Sequence, residues 1–318
     1  MLGITRELAY KKAAYYVFAF IILLPLPFAG DYITHVATLI MLYSITAASL
    51  DIPVGYTGRL SLGHAAFYAI GAYTSTLLSM NYSINPWLGI LTGAVLASIF
   101  GLLLGIPSLK LKGPYLAIST LGFGIIIHLM LINLDWLTRG PIGIPGIPPL
   151  PSFLFVDLRT KFWFYYVALI ITLISIYLMH LISSSRIGKI LMSIREDEEA
   201  ALSIGVNVNF FKVFAFVIST FFAGLSGALY AHYMRYISPA MSALSESISI
   251  LSMTIIGGFG TLVGPLLGAT LLTVLQEILR PYLEYRYLIY GALIVLVMKF
   301  FPSGIYGLVQ FLWRKITV

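Results

Sequence analysis

The sequence predicts an all-α fold, a polytopic transmembrane helical bundle of about 10 spans (8–10), and three observations carry that prediction. Of the 318 residues, 59% are hydrophobic and only 10% charged, and mean hydropathy is +0.96. That leaves too little charged surface for a soluble globular domain. Ten apolar runs tile the chain without room for a separate extramembrane domain, so residues 1–318 read as one transmembrane domain. Lysine and arginine cluster in alternate connections between those runs.

The first run, Ala13 to Ala29, follows Arg6, Lys11 and Lys12 and superficially resembles a signal peptide. Pro25 and Pro27 stand where a small-residue cleavage site would sit, so it reads as a retained first span with its N-terminus inside. Further spans are expected at 32–50, 60–80, 86–106, 115–134, 162–182, 213–232, 243–256, 262–280 and 287–302. The run at 243–256 is short for a bilayer that needs roughly 20 helical residues, and reads as tilted or re-entrant. An even number of spans returns both termini to the cytoplasm.

Basic residues fix the orientation. Arg6, Lys11, Lys12, Arg59, Lys110, Lys112, Arg186, Lys189, Arg195, Lys212, Lys299, Arg314 and Lys315 fall on one side, and Arg139, Arg159, Lys161, Arg235, Arg280 and Arg286 on the other. The richer side is the cytoplasmic one. The net charge of +7 therefore suits a lipid bilayer surface and does not call for nucleic acid.

On the opposite side, Asp135 to Lys161 is the longest connection, and prolines 141, 145, 148, 149 and 151 forbid a regular helix there. By composition it reads as a linker, with a lip for an extracellular partner as the functional alternative. Two stretches, GHAAFYAIGA (Gly63 to Ala72) and GTLVGPLLGA (Gly260 to Ala269), share a Gly-x7-Gly-Ala spacing, each opening a span on the cytoplasmic side. Internal duplication and ordinary small-residue packing both account for that spacing.

The connection at 183–212 is where soluble machinery could grip the chain. Arg195, Glu196, Asp197, Glu198 and Glu199 are followed by Ala200, Ala201 and, after three residues, Gly205. Acids in a first turn suit the positive end of the helix dipole, and the glycine can supply a left-handed end. A short helix over Arg195 to Gly205 is expected; a solvated connector is the alternative.

Enzyme chemistry has no foothold. The Gly188-Lys189 pair lacks the upstream glycine and following Ser or Thr of a P-loop, so the chain is expected to carry no ATPase site and no cofactor. There is no cysteine, and His35, His64, His128, His180 and His232 are scattered without metal-ligand spacing. His64, His128 and Glu246 are ionisable groups at membrane depth, where lipid exposure is expensive; pairing in the bundle interior is the expectation for the latter two. Asp51 and Glu277 sit near span ends.

Small residues are the stronger clue. SLGHAAFYAIGAYTS, AISTLGFG, FFAGLSGALYA and IIGGFGTLVGPLLGA let helices approach closely or break. Within and beside these runs, Gly63, His64, Tyr73, Thr120, Gly257, Gly258 and Thr261 are the candidate lining of a pathway through the membrane.

LSLGHAAFYAIGAY, GPYLAISTLGFG, TRGPIGIPGIP, SRIGKILMSIREDEEAALSIGVNV, AFVISTFFAGLSGALYAH and IIGGFGTLVGPLLGA occur in this order between Leu60 and Ala269. Together they resemble the successive blocks of the M-type membrane subunit of branched-chain amino acid ABC importers. The Glu199-Ala200-Ala201-x-x-x-Gly205 spacing resembles the loop by which such subunits dock onto their ATPases. Where the family commonly has Thr-Gly-Gly, this chain has Thr138-Arg139-Gly140, so the family's loop shape is not carried over there.

The resemblance implies an H-type permease partner, two cytoplasmic ABC ATPase subunits that use ATP, and an extracytoplasmic binding protein. It implies a plasma membrane location in a bacterium or archaeon, and leucine, isoleucine and valine as cargo. Closure of the ATPases would push the segment at Arg195 to Gly205, with the flanking spans Phe162 to Ile182 and Val213 to His232 transmitting the motion. Urea, amide, other amino acid and sugar permeases of the same superfamily are the alternatives. An ATP-independent transporter would need mid-membrane carboxylates, for which Glu246 is the one plausible residue.

Overall fold

The structure, a computed structural model, describes residues 25–111, 113–152, 157–280, 286–300 and 304–308. It is a bundle of helices. In chain order these are α1 (Asp31–Asp51), α2 (His64–Asn81), α3 (Pro86–Ser108), α4 (Pro114–Asn133), α5 (Asp135–Thr138) and α6 (Lys161–Ser184). There follow α7 (Arg186–Glu196), α8 (Glu198–Ser203), α9 (Val208–Met234), α10 (Leu244–Gly257), α11 (Val263–Ile278) and α12 (Arg286–Phe300).

Nine of the ten expected spans fall on described residues, and a helix occupies each of the nine. The first, at 13–29, lies almost wholly outside the described residues, which take up the chain at Pro25. Five helices are long and apolar enough to cross a membrane: α1 with its extension to Tyr56, α3, α4, α6 and α9. The run that begins at 60 starts its helix only at His64, because π-helical Ile52–Tyr56 carries Pro53 and hands over to an extended turn. A proline without an N–H breaks the regular bonding ladder and leaves such a widened turn.

Local chemistry sets the helix ends. Asn85 caps α3 by accepting the Trp87 N–H, with Pro86 at the first helical position. Ser185 and Asn207 do the same for α7 and α9. At its far end α9 stops on Arg235, which adopts a left-handed conformation.

The centre is formed by α2, α3 and α9, which touch backbone to backbone. A Cβ at Gly71 would lie 2.0 Å from the Gly224 carbonyl oxygen and one at Gly93 would lie 2.6 Å from the Gly71 oxygen. Without glycine the three helices could not approach so closely, and in lipid such close packing supplies most of the association energy. This also explains why α2 carries Ser, Thr, Tyr and His and is less apolar than its neighbours. From His64 to Tyr73 every residue is buried by protein, so none needs to be compatible with lipid. By contrast, 28% of the apolar window of α4 is buried, against 72% for α1. Helix α4 therefore turns most of its surface away from the described bundle.

The connection at 135–161 is not a plain linker. Ile144–Pro145 pairs antiparallel with Tyr236–Ile237, and the N–H of Gly146 donates to the Arg235 carbonyl at 3.0 Å. Ile144, Ile147 and Leu150 are buried, and His232 Nδ1 lies 2.7 Å from the Pro148 oxygen. Proline forbade a helix, as expected, yet an edge pairing and buried apolar side chains fix the segment onto the end of α9. Arg139 takes φ +59, the left-handed region that glycine occupies most easily.

The segment at 243–256 forms α10, 14 residues long, about 21 Å at helical rise and shorter than a hydrocarbon core. It starts inside the bundle, where Tyr43, near the middle of α1, donates to Glu246 Oε1 at 2.8 Å. From there it runs to the turn Gly257–Leu262 and packs against α11. A Cβ at Gly268 would lie 1.8 Å from the Met253 oxygen, so the two helices are in backbone contact.

Candidate functional site

The expected single helix over Arg195 to Gly205 is two helices. Arg195 and Glu196 close α7, Asp197 is extended (φ −155), and α8 begins at Glu198. The break has a chemical cause: the Asp197 carboxylate accepts the N–H groups of Glu199 and Ala200 at 2.9 and 3.0 Å. A side chain that caps one helix must itself stand outside it. Glu198 and Glu199 then occupy the first turn of α8, where the helix dipole favours acids.

The C-terminal end of α8 closes on Gly205. Val206 N–H donates to Ala201 O and Gly205 N–H to Leu202 O, the paired bonds of a Schellman turn, with Gly205 at φ +83. Ala201 is buried with Ile194 and Val208, so one apolar residue from each of α7, α8 and α9 pins the short helix. Glu199, Ala200, Leu202 and Ile204 stay exposed. The outcome is a small, rigid, acid-tipped knob at one end of the bundle.

Two ties fasten the knob to the spans. Buried Lys212, near the start of α9, forms an ion pair with Glu198. Arg195 Nη1 donates to the carbonyl of Gly55 at 2.6 Å, and its guanidinium lies 5.3 Å from the centre of the Phe259 ring. Next to it, Gly260 N–H donates to Asp51 Oδ1 at 2.7 Å, joining the α10–α11 turn to the end of α1.

Between the knob and the starts of α2 and α4 lies a cleft of about 840 Å³, whose lining includes Arg59, Leu111, Pro114, Arg195, Glu198 and Lys212. Arg59 is buried there. Its guanidinium donates to the carbonyls of Ser108 and Leu111 and lies 5.9 Å from the Phe216 ring. Burial pulls its pKa down, and the carboxylate of Glu198 acts in the opposite direction.

The seven candidate pathway residues separate into three places. Gly63, His64 and Thr120 meet where the turn before α2 crosses α4. There the Leu62 N–H donates to Thr120 Oγ1 at 3.0 Å, and His64 Nε2 lies 2.9 Å from Ser49 Oγ. Gly257, Gly258 and Thr261 form the α10–α11 turn, with Thr261 Oγ1 donating to Gly258 O at 2.9 Å. Tyr73 lies farther along α2, in the same apolar cluster as Ile144, Ile147 and Ile237. None of the seven lines either of the two cavities described.

The second cavity, of about 260 Å³, is instead lined by Leu62, Leu121, His128, Ser242, Leu244 and Ser247, among others. His128 is paired, with Nδ1 3.0 Å from both Pro239 O and Ser242 Oγ, and Glu246 holds Tyr43. Sequence reasoning missed Ser242 and Ser247. The signal that could have found them is the serine-rich run SALSESISILS at the start of a short span. Among the described residues no group of histidines and carboxylates has metal-binding geometry.

The family described as "Branched-chain amino acid transport system / permease component" matches residues 32–298. The chain is 36% identical over 292 residues to the high-affinity branched-chain amino acid transport system permease protein LivM of Escherichia coli (strain K12). That alignment covers 85% of this chain and 69% of that protein. The probable LivM of Methanocaldococcus jannaschii is 24% identical over 324 residues, covering 86% and 93%. LivH of E. coli is 25% identical over 292 residues, covering 83% and 91%. No solved structure matches.

Proposed function

The chain belongs to the branched-chain amino acid permease family, and from that premise we propose that it is the M-type membrane-spanning subunit of an ABC importer carrying leucine, isoleucine and valine inward. Its working assembly adds an H-type permease, two cytoplasmic ATPases that use ATP, and an extracytoplasmic binding protein. Similarity to both LivM and LivH supports the pairing, since two related helical subunits can enclose a path that neither encloses alone. The bundle sits in the plasma membrane with about 10 spans, counting 13–29, and with both termini and the 183–212 segment in the cytoplasm.

The observation that carries this reading is the knob formed by Asp197 to Gly205. It is capped at one end, closed by a left-handed glycine at the other, and presents Glu198, Glu199, Ala200 and Leu202 at the end of the bundle. In this role Glu199 and the α8 surface meet the ATPase, Ala201 anchors α8 to its neighbours, and Asp197 and Gly205 hold its aim. Arg195 and Glu196 belong to the helix that carries the knob. In this reading Gly63, His64 and Thr120 on one side and Gly257, Gly258 and Thr261 on the other border the path, with Tyr73 farther along α2.

Reconstitution tests it. The chain purified alone should show no ATPase activity and no uphill uptake in liposomes. With its H-type partner, both ATPases and the binding protein, it should accumulate leucine, isoleucine and valine on ATP addition. Accumulation by this chain alone, driven by an ion gradient, would establish a secondary transporter instead.

A further inference from the structure

We propose that Arg195 is a positioning residue for transport. On this reading it ties the ATPase-facing knob to the α10–α11 turn, so that a stroke on α8 reaches the interior half-length helix α10 directly. The inference rests on the permease reading above and adds to it a route that bypasses the spans flanking the knob.

Three contacts carry it. Arg195 sits in the last turn of α7, two residues before the Asp197 cap of α8, and its side chain points back toward the bundle. One guanidinium N–H donates to Gly55 O at 2.6 Å, inside the π-helical turn that ends α1. The charged plane also lies 5.3 Å from the ring centre of Phe259, in the turn between α10 and α11. Gly260, next in that turn, donates its N–H to Asp51 Oδ1 at 2.7 Å. Charge-assisted hydrogen bonds and cation–π contacts are short in range and strict in geometry, so this joint resists being pulled apart.

Beyond the joint, the load has a stiff element to act on. Helices α10 and α11 are in backbone contact at Gly268 and Met253, so the hairpin moves as one body. The other end of α10 lies inside the bundle, where Leu244 and Ser247 line the 260 Å³ cavity opposite His128 and Leu121. A displacement of the Phe259–Gly260 turn therefore shifts a wall of that cavity. Helix α10 is 14 residues long and is preceded by the 3-10 turn Pro239–Ser242, so it is set off from α9 as an element of its own.

The test uses the whole importer in proteoliposomes and compares wild type with Arg195→Ala, Arg195→Lys, Phe259→Leu and the Arg195→Ala/Phe259→Leu pair. Phe259→Leu should leave ATP hydrolysis and subunit composition as in wild type but lower substrate moved per ATP by about fivefold or more. Arg195→Ala should do the same without releasing the ATPases, Arg195→Lys should recover much of the loss, and the double variant should be no worse than Arg195→Ala alone. A cargo-independent readout comes from nitroxides at cysteines replacing Tyr82 and Ile248, placed in this cysteine-free chain and in partners with blocked thiols. Their separation should change with nucleotide in wild type and not in Arg195→Ala.

Unchanged stoichiometry and unchanged label movement in both single variants would overturn the proposal, as would loss of ATPase subunits from Arg195→Ala, which would make Arg195 an ATPase contact. A wild-type complex whose labels move with ATP but which accumulates none of the three amino acids would sink the cargo reading and leave the tie standing.

Discussion

Lys212 and Glu198 form an ion pair across the junction of two helices, with the lysine 3% exposed and the glutamate 28% exposed. The pair joins the first turn of α8 to the foot of the central helix α9. Glu198→Gln would leave a buried ammonium facing a neutral amide. The expected cost is about 1–3 kcal/mol, below the range for a fully buried pair because Glu198 is part exposed. Thermal unfolding in detergent should show this loss. Adding Lys212→Met should recover part of it, which distinguishes a pair from two independent effects.

Glu199 and Gly205 should matter for transport more than for folding. A Cβ at Gly205 meets nothing within 4 Å, so a substitution there is penalised through its φ of +83 and not by crowding. Gly205→Val should strain the Schellman turn by about 1–2 kcal/mol, while Gly205→Asn, which tolerates that conformation better, should be milder. Both variants and Glu199→Lys should reach the membrane at near-normal levels. Uptake should fall in the order Gly205→Val, then Gly205→Asn, with poor ATPase co-purification for Glu199→Lys. Normal transport by all three would make the segment a solvated connector.

Two glycines separate packing from propensity. Gly71→Ala places a methyl 2.0 Å from the Gly224 oxygen between rigid backbones, and should cost several kcal/mol, of order 3 or more, with loss of folded protein. Gly122→Ala on α4 meets nothing within 4 Å and should be neutral or stabilising by roughly 0.5–1 kcal/mol. Yield and melting temperature of the two variants, measured side by side, decide the matter.

Arg139 holds a left-handed backbone at φ +59, where an L side chain is disfavoured. Arg139→Gly should therefore stabilise the protein by up to about 1 kcal/mol, through relief of that strain offset by the entropy of the freer unfolded chain. A lower melting temperature would mean that the arginine side chain contributes more than its backbone loses.

Orientation is checked with single cysteines at Ser184 and Ser152, both exposed, in a chain without native cysteine. An impermeant thiol reagent applied to intact cells should label position 152 and spare position 184. The reverse pattern would invert the bundle.

Much of the fold is legible in the sequence because membrane helices advertise themselves. Each of the nine described apolar runs holds a helix, since a backbone in lipid satisfies its hydrogen bonds most readily within one helix. The reading of the segment from Arg195 to Gly205 was right about the left-handed turn at Gly205 and wrong about continuity. REDEE shows five polar residues in a row, and nothing in composition says which of them turns out to cap its successor. The pathway residues were chosen as small or polar residues in small-residue runs, and that signal reports close packing as readily as it reports a path. Tyr73 lies buried in an apolar cluster with Ile144, Ile147 and Ile237, while Ser242 and Ser247 line a cavity.

The sequence by itself determined the class of the protein, the order of its helices and its family, because these rest on composition, periodicity and blocks read along one dimension. Only the tertiary structure decided which residues meet: Gly71 with Gly224, Asp51 with Gly260, Arg195 with Gly55 and Phe259. Those partners are separated by 64 to 209 positions in the chain. Contact across such distances depends on how helices pack against one another, and one chain read alone carries no record of that packing.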